Sequence, residues 1–211
     1  MTHEVSHVYL FSPSRGEAVE AVLWDAITNQ QLADWEGEWL PELFEGLRRI
    51  KRAGVEYARW PQSRHWDWRA KTQAIRQTLS KQGFSLMCEG VTQGLMSVDL
   101  MRYCRLPGQD RQHLVYIDFL ETAPWNRREL LVDPPRYQGV GTLLIRAAIE
   151  LSKEEEFQGR IGLHSLPQAN GFYANTCGMA DLGPDPNYQN LRYFEMTPEA
   201  AEAFCARGER P

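Results

Sequence analysis

The sequence lacks the patterns that mark membrane, secreted and metal-binding proteins. No apolar run reaches the length that spans a membrane, and the first residues do not have the character of a signal peptide. The few cysteines are scattered, without a CxxC or metal-ligand spacing, so reduced thiols are expected. These four residues are Cys88, Cys104, Cys177 and Cys205. The sequence therefore predicts a cytoplasmic protein with no metal site and no membrane association.

An excess of basic residues is also absent. The chain has 23 Lys and Arg against 28 Asp and Glu, a net charge of −5. Nucleic-acid binding needs a clustered basic face that neutralises phosphates, so this balance argues against nucleic acid as a partner and is compatible with a cationic amine substrate. With 211 residues, of which 43% are hydrophobic, the chain is expected to form a single globular domain.

What the sequence does contain is a glycine-rich turn that leads directly into a helical run. Two glycines one residue apart let the backbone approach a ligand closely. A helix that begins there directs its unpaired N–H groups and the positive end of its dipole towards the same point, which predicts an anion site. The turn, which we call the glycine loop, consists of Arg136, Tyr137, Gln138, Gly139, Val140, Gly141 and Thr142.

Three phosphate-binding motifs compete for this loop. A P-loop requires Lys after its last glycine, but Gly141 is followed by Thr142. A dinucleotide fingerprint requires a third glycine where this chain has Leu144. The pyrophosphate pattern of acyl-CoA-dependent acyltransferases, Arg/Gln-x-x-Gly-x-Gly/Ala between a strand and a helix, fits the loop from Arg136 to Gly141. Taken alone, a glycine turn that only starts a helix is an equal alternative.

A second motif follows beyond the next predicted strand. Residues 168–179 predict a short helix that ends at Gly178, and they contain A-x-x-F-Y-x-x-x-C-G-M. Together with the glycine loop and the order strand–loop–helix–strand–helix–strand, this run resembles the GNAT-type N-acetyltransferase superfamily over residues 84–196. The family pattern A-x-x-L/F-Y-x-x-x-G-F differs by Met179 in place of Phe and by one extra residue before Gly178.

The resemblance implies an α/β fold of the α+β kind, a mixed central sheet flanked by helices. We expect one acyltransferase domain over residues 1–211. Within it, an N-terminal strand and helices would cover 1–83, the GNAT-like core 84–196, and a C-terminal tail 197–211.

The N-terminal part is predicted to be a helical, tryptophan-rich extension. Apolar spacing predicts helices over 15–30, 39–50 and 64–80. Six of the seven tryptophans lie here. Core and helix packing is their simplest explanation, and an aromatic substrate wall or a homodimer surface is the alternative.

The resemblance also implies a cofactor and a reaction. Acetyl-CoA would lie with its pyrophosphate on the glycine loop, and its acetyl group would move to an amine of a small molecule or a protein. Asn170 is a candidate pantetheine contact, because Leu166 occupies the position where the family often has Asn. A GNAT-like module that binds CoA or an acyl-CoA without turnover, as a sensor or interaction module, is the alternative.

Acyl transfer to an amine needs a neutral amine, a stabilised oxyanion and a proton for the leaving thiolate. Tyr173 matches the family's acid position and is the candidate proton donor. Glu121, at the end of the predicted central strand, is the candidate base, and Asp118 would face the opposite side of a regular strand. His164 is expected to be structural. The segment 122–128 is either a lid or an ordinary loop.

Overall fold

Residues 5–207 are described by the structure, which is a computed structural model. Over this range the chain forms eight strands and five α-helices. The strands are β1 (Val5–Ser12), β2 (Glu17–Trp24), β3 (Lys81–Cys88), β4 (Val91–Tyr103), β5 (His113–Thr122), β6 (Ile161–Ser165), β7 (Ala180–Asp185) and β8 (Leu191–Met196). The helices are α1 (Asn29–Asp34), α2 (Leu40–Arg52), α3 (Trp68–Gln77), α4 (Val140–Glu154) and α5 (Pro198–Ala206). The first four residues and the end of the predicted tail lie outside the described residues.

The strands form one sheet in the order β1-β2-β3-β4-β5-β6-β8-β7. The pairs β1–β2, β2–β3, β6–β8 and β7–β8 are antiparallel, whereas β5 and β6 are parallel. The sequence prediction of a mixed sheet with flanking helices is therefore confirmed. Within residues 5–207, no helix has the length and apolar character needed to cross a membrane.

Chain contacts divide the molecule into two compact units, and the prediction of one domain over 1–211 stays a prediction. The first unit comprises residues up to Ser97 together with Leu120–Leu144. Its core includes Trp39 and Trp68, which are both almost completely buried. The Trp39 indole also donates a hydrogen bond of 2.8 Å to the Thr92 carbonyl oxygen. Packing therefore accounts for these two tryptophans.

The second unit comprises Val98–Phe119 and the residues from Ile145 onwards. Its apolar core includes Ile145, Ile161 and Phe194, all fully buried. Glu195 is also fully buried, and its carboxylate accepts hydrogen bonds from backbone N–H groups after β4 and from Gln109. A buried charge that is satisfied in this way positions the connection between β4 and β5.

The helix predicted over 15–30 is wrong, because residues 17–24 form β2. A four-residue turn after Ser12 ends in Gly16, whose φ of 69° suits glycine. This turn pairs β2 with β1 over its whole length, and the second half of β2 pairs with β3. Partners on both sides outweigh the weak helical spacing of the apolar residues. The two later helices, predicted over 39–50 and 64–80, correspond to α2 and α3.

The extra residue in the second motif has a structural explanation. Residues Phe172–Thr176 form a π-helix, and the Cys177 N–H donates to the Phe172 carbonyl five residues earlier at 2.9 Å. A π-turn accommodates one more residue than an α-turn at the same position. The chain therefore absorbs the insertion before Gly178 inside the helix.

A glycine in β4 lets the start of α4 lie against the sheet. A Cβ at Gly94 would meet Val140 Cγ1 at 2.7 Å and Leu144 Cδ1 at 2.9 Å, both closer than real Cβ contacts. Val140 and Leu144 are themselves buried. The position of the first turn of α4 therefore depends on the missing side chain.

We expect Gly94→Ala to lower the free energy of unfolding by about 1–3 kcal/mol, because the added methyl overpacks a filled contact. Thermal unfolding measures this change. Gly37→Ala is the matched control: Gly37 lies in a helical segment where an added Cβ would meet nothing within 4 Å, so this variant should not lose stability and should gain up to about 1 kcal/mol. Equal stability of the two variants would contradict the account of this contact.

Candidate functional site

The glycine loop ends in a helix N-terminus, as the sequence predicts. Gly139 has a φ of 96°, and α4 begins at the next residue. The Leu143 N–H donates to the Gly139 carbonyl at 2.9 Å and so closes the first turn of the helix. The backbone N–H groups of Val140, Gly141 and Thr142 belong to this first turn, where an α-helix offers its donors no carbonyl of its own. A helix start of this kind can bind an anion, and the anion site itself stays a prediction.

Backbone hydrogen bonds hold the loop in place from two sides. Gln138 and Phe11 exchange two of them, of 2.8 and 3.2 Å, which joins the loop to β1. On the other side, the Tyr137 N–H donates to Asn126 Oδ1 at 2.8 Å. The Arg136 N–H donates to the Trp125 carbonyl at 3.1 Å. The approach of the chain to α4 is therefore preorganised.

The side chains of Arg136 and Tyr137 have different environments. Arg136 is exposed, and its guanidinium lies 4.6 Å from the centre of the Trp125 ring. Tyr137 is buried, and its hydroxyl donates a hydrogen bond to Glu89. Hydrogen bonds from Arg15 and Tyr137 lower the pKa of Glu89 to about 2, while burial raises the pKa of Tyr137. Of the two, only Arg136 presents a side chain to solvent.

The segment 122–128 supports the glycine loop. Trp125 is buried, and its indole N–H donates to Gln93 Oε1 at 2.8 Å. The Asn126 amide donates to the same oxygen at 3.1 Å. Since Trp125 and Asn126 also bind the backbone of Arg136 and Tyr137, one β4 side chain, that of Gln93, fixes both the segment and the loop.

Glu121, the predicted base, lies in a buried ion pair. One carboxylate oxygen is 2.8 Å from Arg127 Nη2, and both side chains are 5% exposed. The other oxygen accepts a hydrogen bond of 2.6 Å from the Trp68 indole. Because both oxygens are engaged away from water, the geometry favours a positioning role that ties α3 to the end of β5. The assignment of Glu121 as the base stays a prediction.

Tyr173 and Asn170 lie on the short helix of the second motif. Tyr173 is buried, with ring centres of Phe172 and Phe194 at 5.2 and 5.9 Å. Burial raises the pKa of Tyr173, so its hydroxyl keeps its proton at neutral pH. Asn170 Oδ1 is buried and accepts no hydrogen bond from any group within residues 5–207. An unsatisfied acceptor of this kind is costly unless a ligand donor reaches it.

A second cluster, which sequence reasoning did not assemble, lies in the second unit. His164 Nδ1 is 2.6 Å from the Tyr116 hydroxyl, and His164 Nε2 is 3.0 Å from Asp185 Oδ2. Arg105 Nη1 binds the same Asp185 oxygen at 2.6 Å. These residues are far apart in the chain: Tyr116 lies on β5, His164 on the adjacent β6, and Asp185 at the end of β7. Only the arrangement of the strands reveals them.

A cavity of about 350 Å³ lies against this cluster. Its wall includes Arg105, Asp185 and Tyr188. The Tyr188 ring stacks on His164, with ring centres 3.9 Å apart and an angle of 8° between the planes. His164 was expected to be structural. Its contacts link residues of β5, β6 and β7, and one of its partners, Asp185, lines the cavity.

Comparison with solved structures identifies the fold. The chain is similar to Mycobacterium smegmatis RimJ in complex with CoA-disulfide, with 14% identity over 99% of this chain and 98% of that chain and a TM-score of 0.53. It is also similar to a bacterial toxin, with 14% identity over 100% and 98% of the two chains and a TM-score of 0.52. No protein-family model and no curated protein matches the sequence. The structural likeness confirms the GNAT-type fold that the two motifs predict.

The buried ion pair allows a stability test. We expect Glu121→Ala to destabilise the protein by about 3–5 kcal/mol, because it leaves the Arg127 charge buried without a partner. Denaturant unfolding measures the loss. The control is Glu36→Ala, which breaks the exposed 2.7 Å ion pair with Arg69 and should cost less than about 1 kcal/mol. A loss at Glu121 no larger than the loss at Glu36 would show that the buried pair does not hold this region together.

Proposed function

We propose that this protein is an acyltransferase that moves an acetyl group from acetyl-CoA to an amine. The observation that carries the proposal is the glycine loop on a GNAT-type fold. Gly139 takes a φ of 96° directly before α4, and the first-turn N–H groups of that helix follow. Backbone contacts from β1 and from the segment 122–128 hold the loop, as an anion site used for tight binding requires.

The residues present fit a CoA group. The glycine loop, Arg136 to Thr142, offers backbone donors to the pyrophosphate, and the exposed Arg136 guanidinium adds positive charge. Asn170 Oδ1 is a buried acceptor that takes no hydrogen bond from the described part of the chain. An amide N–H of the pantetheine arm is a donor that satisfies it. We therefore propose the glycine loop, in the first unit, for the pyrophosphate, and Asn170, in the second unit, is a separate candidate for the pantetheine arm.

Tyr173 is the proposed proton donor. Acetyl-CoA supplies a thioester whose carbonyl accepts the amine and whose sulfur leaves as a thiolate. Burial raises the pKa of Tyr173, so the phenol holds its proton at neutral pH and can donate it to the sulfur. Loss of this proton donor should slow the step in which the thiolate leaves, without removing the groups that bind CoA.

One observation favours the second candidate function, a module that binds CoA without turnover. Glu121, the base predicted from the sequence, has both oxygens engaged by Arg127 and Trp68. If no other group accepts the proton of the amine, binding would not lead to transfer. The two functions differ in turnover and not in CoA binding. A cytoplasmic location and a homodimer stay predictions, and the acceptor is specified only as an amine.

We expect Gly139→Ala to weaken CoA binding by about 5- to 150-fold, because a side chain at this φ strains the loop by about 1–3 kcal/mol. Isothermal titration with CoA measures the effect. Gly108→Ala is the matched control, since Gly108 has a similar φ of 88° and lies in the turn after β4 with nothing within 4 Å of a Cβ. CoA affinity that is equal in the two variants would remove the loop from the binding site.

We expect Tyr173→Phe to lower turnover by about 10²–10⁴-fold, the usual contribution of a general acid, with CoA affinity unchanged. Release of free thiol from acetyl-CoA is followed with three probe amines: alanyl-alanine, Nα-acetyl-lysine amide and spermidine. Tyr103→Phe, at an exposed position on β4, is the control. Absence of wild-type turnover with all three amines, together with CoA binding, would support the module that does not catalyse transfer.

A further inference from the structure

We propose that Tyr116, His164 and Asp185 form a proton relay that accepts the proton of the acceptor amine. The inference rests on the proposed acetyl transfer and identifies the base for it. The three side chains are linked in series, by 2.6 Å from the Tyr116 hydroxyl to His164 Nδ1 and 3.0 Å from His164 Nε2 to Asp185 Oδ2. All three belong to the second unit. Glu121, the base predicted from the sequence, is held in a buried ion pair with Arg127.

The charge on Asp185 determines the direction of the relay. Arg105 Nη1 lies 2.6 Å from Asp185 Oδ2, and the Asn187 N–H donates to the other oxygen at 2.9 Å. These hydrogen bonds lower the pKa of Asp185 to about 2, so it is a carboxylate at neutral pH. A carboxylate only accepts hydrogen bonds, and His164 Nε2 must therefore carry a proton.

The tautomer of His164 follows from this contact. Burial lowers the pKa of His164, and its side chain is 3% exposed, so the ring is neutral at neutral pH. With a proton on Nε2, a neutral ring has a free electron pair on Nδ1, which accepts a hydrogen bond from the Tyr116 hydroxyl. The arrangement holds a hydroxyl, a neutral imidazole and a carboxylate in the order that general-base catalysis requires.

Aromatic rings pack around His164. The Tyr188 ring stacks at 3.9 Å, and the Tyr193 ring centre is 4.9 Å away. Both ring nitrogens are already engaged. A proton from a substrate therefore reaches Nδ1 only through the Tyr116 hydroxyl, which lies on β5 in the parallel pair with β6.

The step removes one proton from the amine and delivers one proton to the thiolate. The amine nitrogen forms a bond to the thioester carbonyl carbon, and its N–H proton passes to the Tyr116 oxygen. The Tyr116 hydroxyl proton passes at the same time to His164 Nδ1, which gives an imidazolium ion beside the Asp185 carboxylate. The carbon–sulfur bond then breaks, and Tyr173 protonates the thiolate. The imidazolium returns its proton to solvent and Tyr173 recovers one, so no net proton is gained or lost.

The relay predicts a pH dependence with a defined sign. The groups that face His164 are Tyr116, Asp185, Tyr188, Tyr193 and the guanidinium groups of the two arginines on and after β4, Arg102 and Arg105. Burial and the two arginines lower the pKa of His164, while Asp185 raises it, and the net shift is downwards. After correction for the neutral fraction of the amine, which itself falls as the pH decreases, turnover should therefore show a further fall only below about pH 6.5, the ordinary histidine value.

The experiment compares Tyr116→Phe and His164→Asn with controls from the same unit. The controls are Tyr103→Phe and His113→Asn, which change a tyrosine and a histidine outside the relay. Turnover of acetyl-CoA is measured from pH 5 to 9 with whichever of alanyl-alanine, Nα-acetyl-lysine amide and spermidine is the best wild-type acceptor. CoA affinity and thermal unfolding confirm that each variant is folded.

We expect both relay variants to lose about 10²–10⁴-fold in kcat, with the KM for acetyl-CoA changed little. The further fall below about pH 6.5 should be absent once rates are corrected for the neutral fraction of the amine. Both controls should retain wild-type rates. Relay variants that bind CoA and keep the wild-type rate and profile would overturn the relay and leave the acetyl transfer intact. No wild-type turnover with any probe would overturn the proposed transfer, and the relay with it.

A second measurement does not depend on the acceptor or on any variant. Nitrogen-15 NMR of the histidine-labelled full chain reports which ring nitrogen of His164 carries the proton. The relay requires a protonated Nε2 and an unprotonated Nδ1 at pH 7. A proton on Nδ1 instead would make Tyr116 an acceptor and would overturn the proposal.

Discussion

The contact between β4 and the first turns of α4 is the constraint on which the candidate cofactor site depends. Gly94 presents no side chain, so Val140 and Leu144 lie directly on the strand. This contact fixes the position of the first turn of α4, and the unpaired N–H groups of that turn point in the same direction. One residue earlier on the strand, Gln93 binds Trp125 and Asn126, whose backbone and amide hold the chain that enters the helix. Two neighbouring residues of β4 therefore position the glycine loop: Gln93 holds the chain that enters it, and Gly94 positions the helix that follows it.

The buried carboxylates of the two units have different partners. In the first unit, Glu121 and Arg127 satisfy each other in a buried pair, which engages both carboxylate oxygens together with Trp68 and positions α3 against the end of β5. In the second unit, Asp185 shares its charge between Arg105 and His164, and His164 remains neutral. A carboxylate that is compensated by an arginine and also touches a neutral histidine can stabilise an imidazolium ion. The difference explains why the proposed base lies with His164 and not with Glu121.

The sequence was sufficient for the GNAT-type fold because two local patterns, the glycine loop and the motif around Tyr173, carry it. It also placed the start of α4 directly after the glycine loop. It failed for β2, whose apolar spacing suits a helix until its strand partners are known. It also left the Tyr116–His164–Asp185 cluster unassembled, because three residues on separate strands meet through register, and no local spacing encodes register. The π-helix at Phe172–Thr176 is a different case. The extra residue before Gly178 is visible in the sequence, but the sequence does not show that a π-turn accommodates it.

The most direct test of the central claim is a thermal-shift comparison of acetyl-CoA, CoA, ATP and NAD on the full chain. A ligand at one hundred times its dissociation constant stabilises the native state by about 2.7 kcal/mol. For a chain of this size that free energy corresponds to a rise in Tm of about 5–10 °C. The account predicts a rise of this order with acetyl-CoA and CoA alone. No rise with either of them, or a rise with ATP or NAD instead, would contradict it.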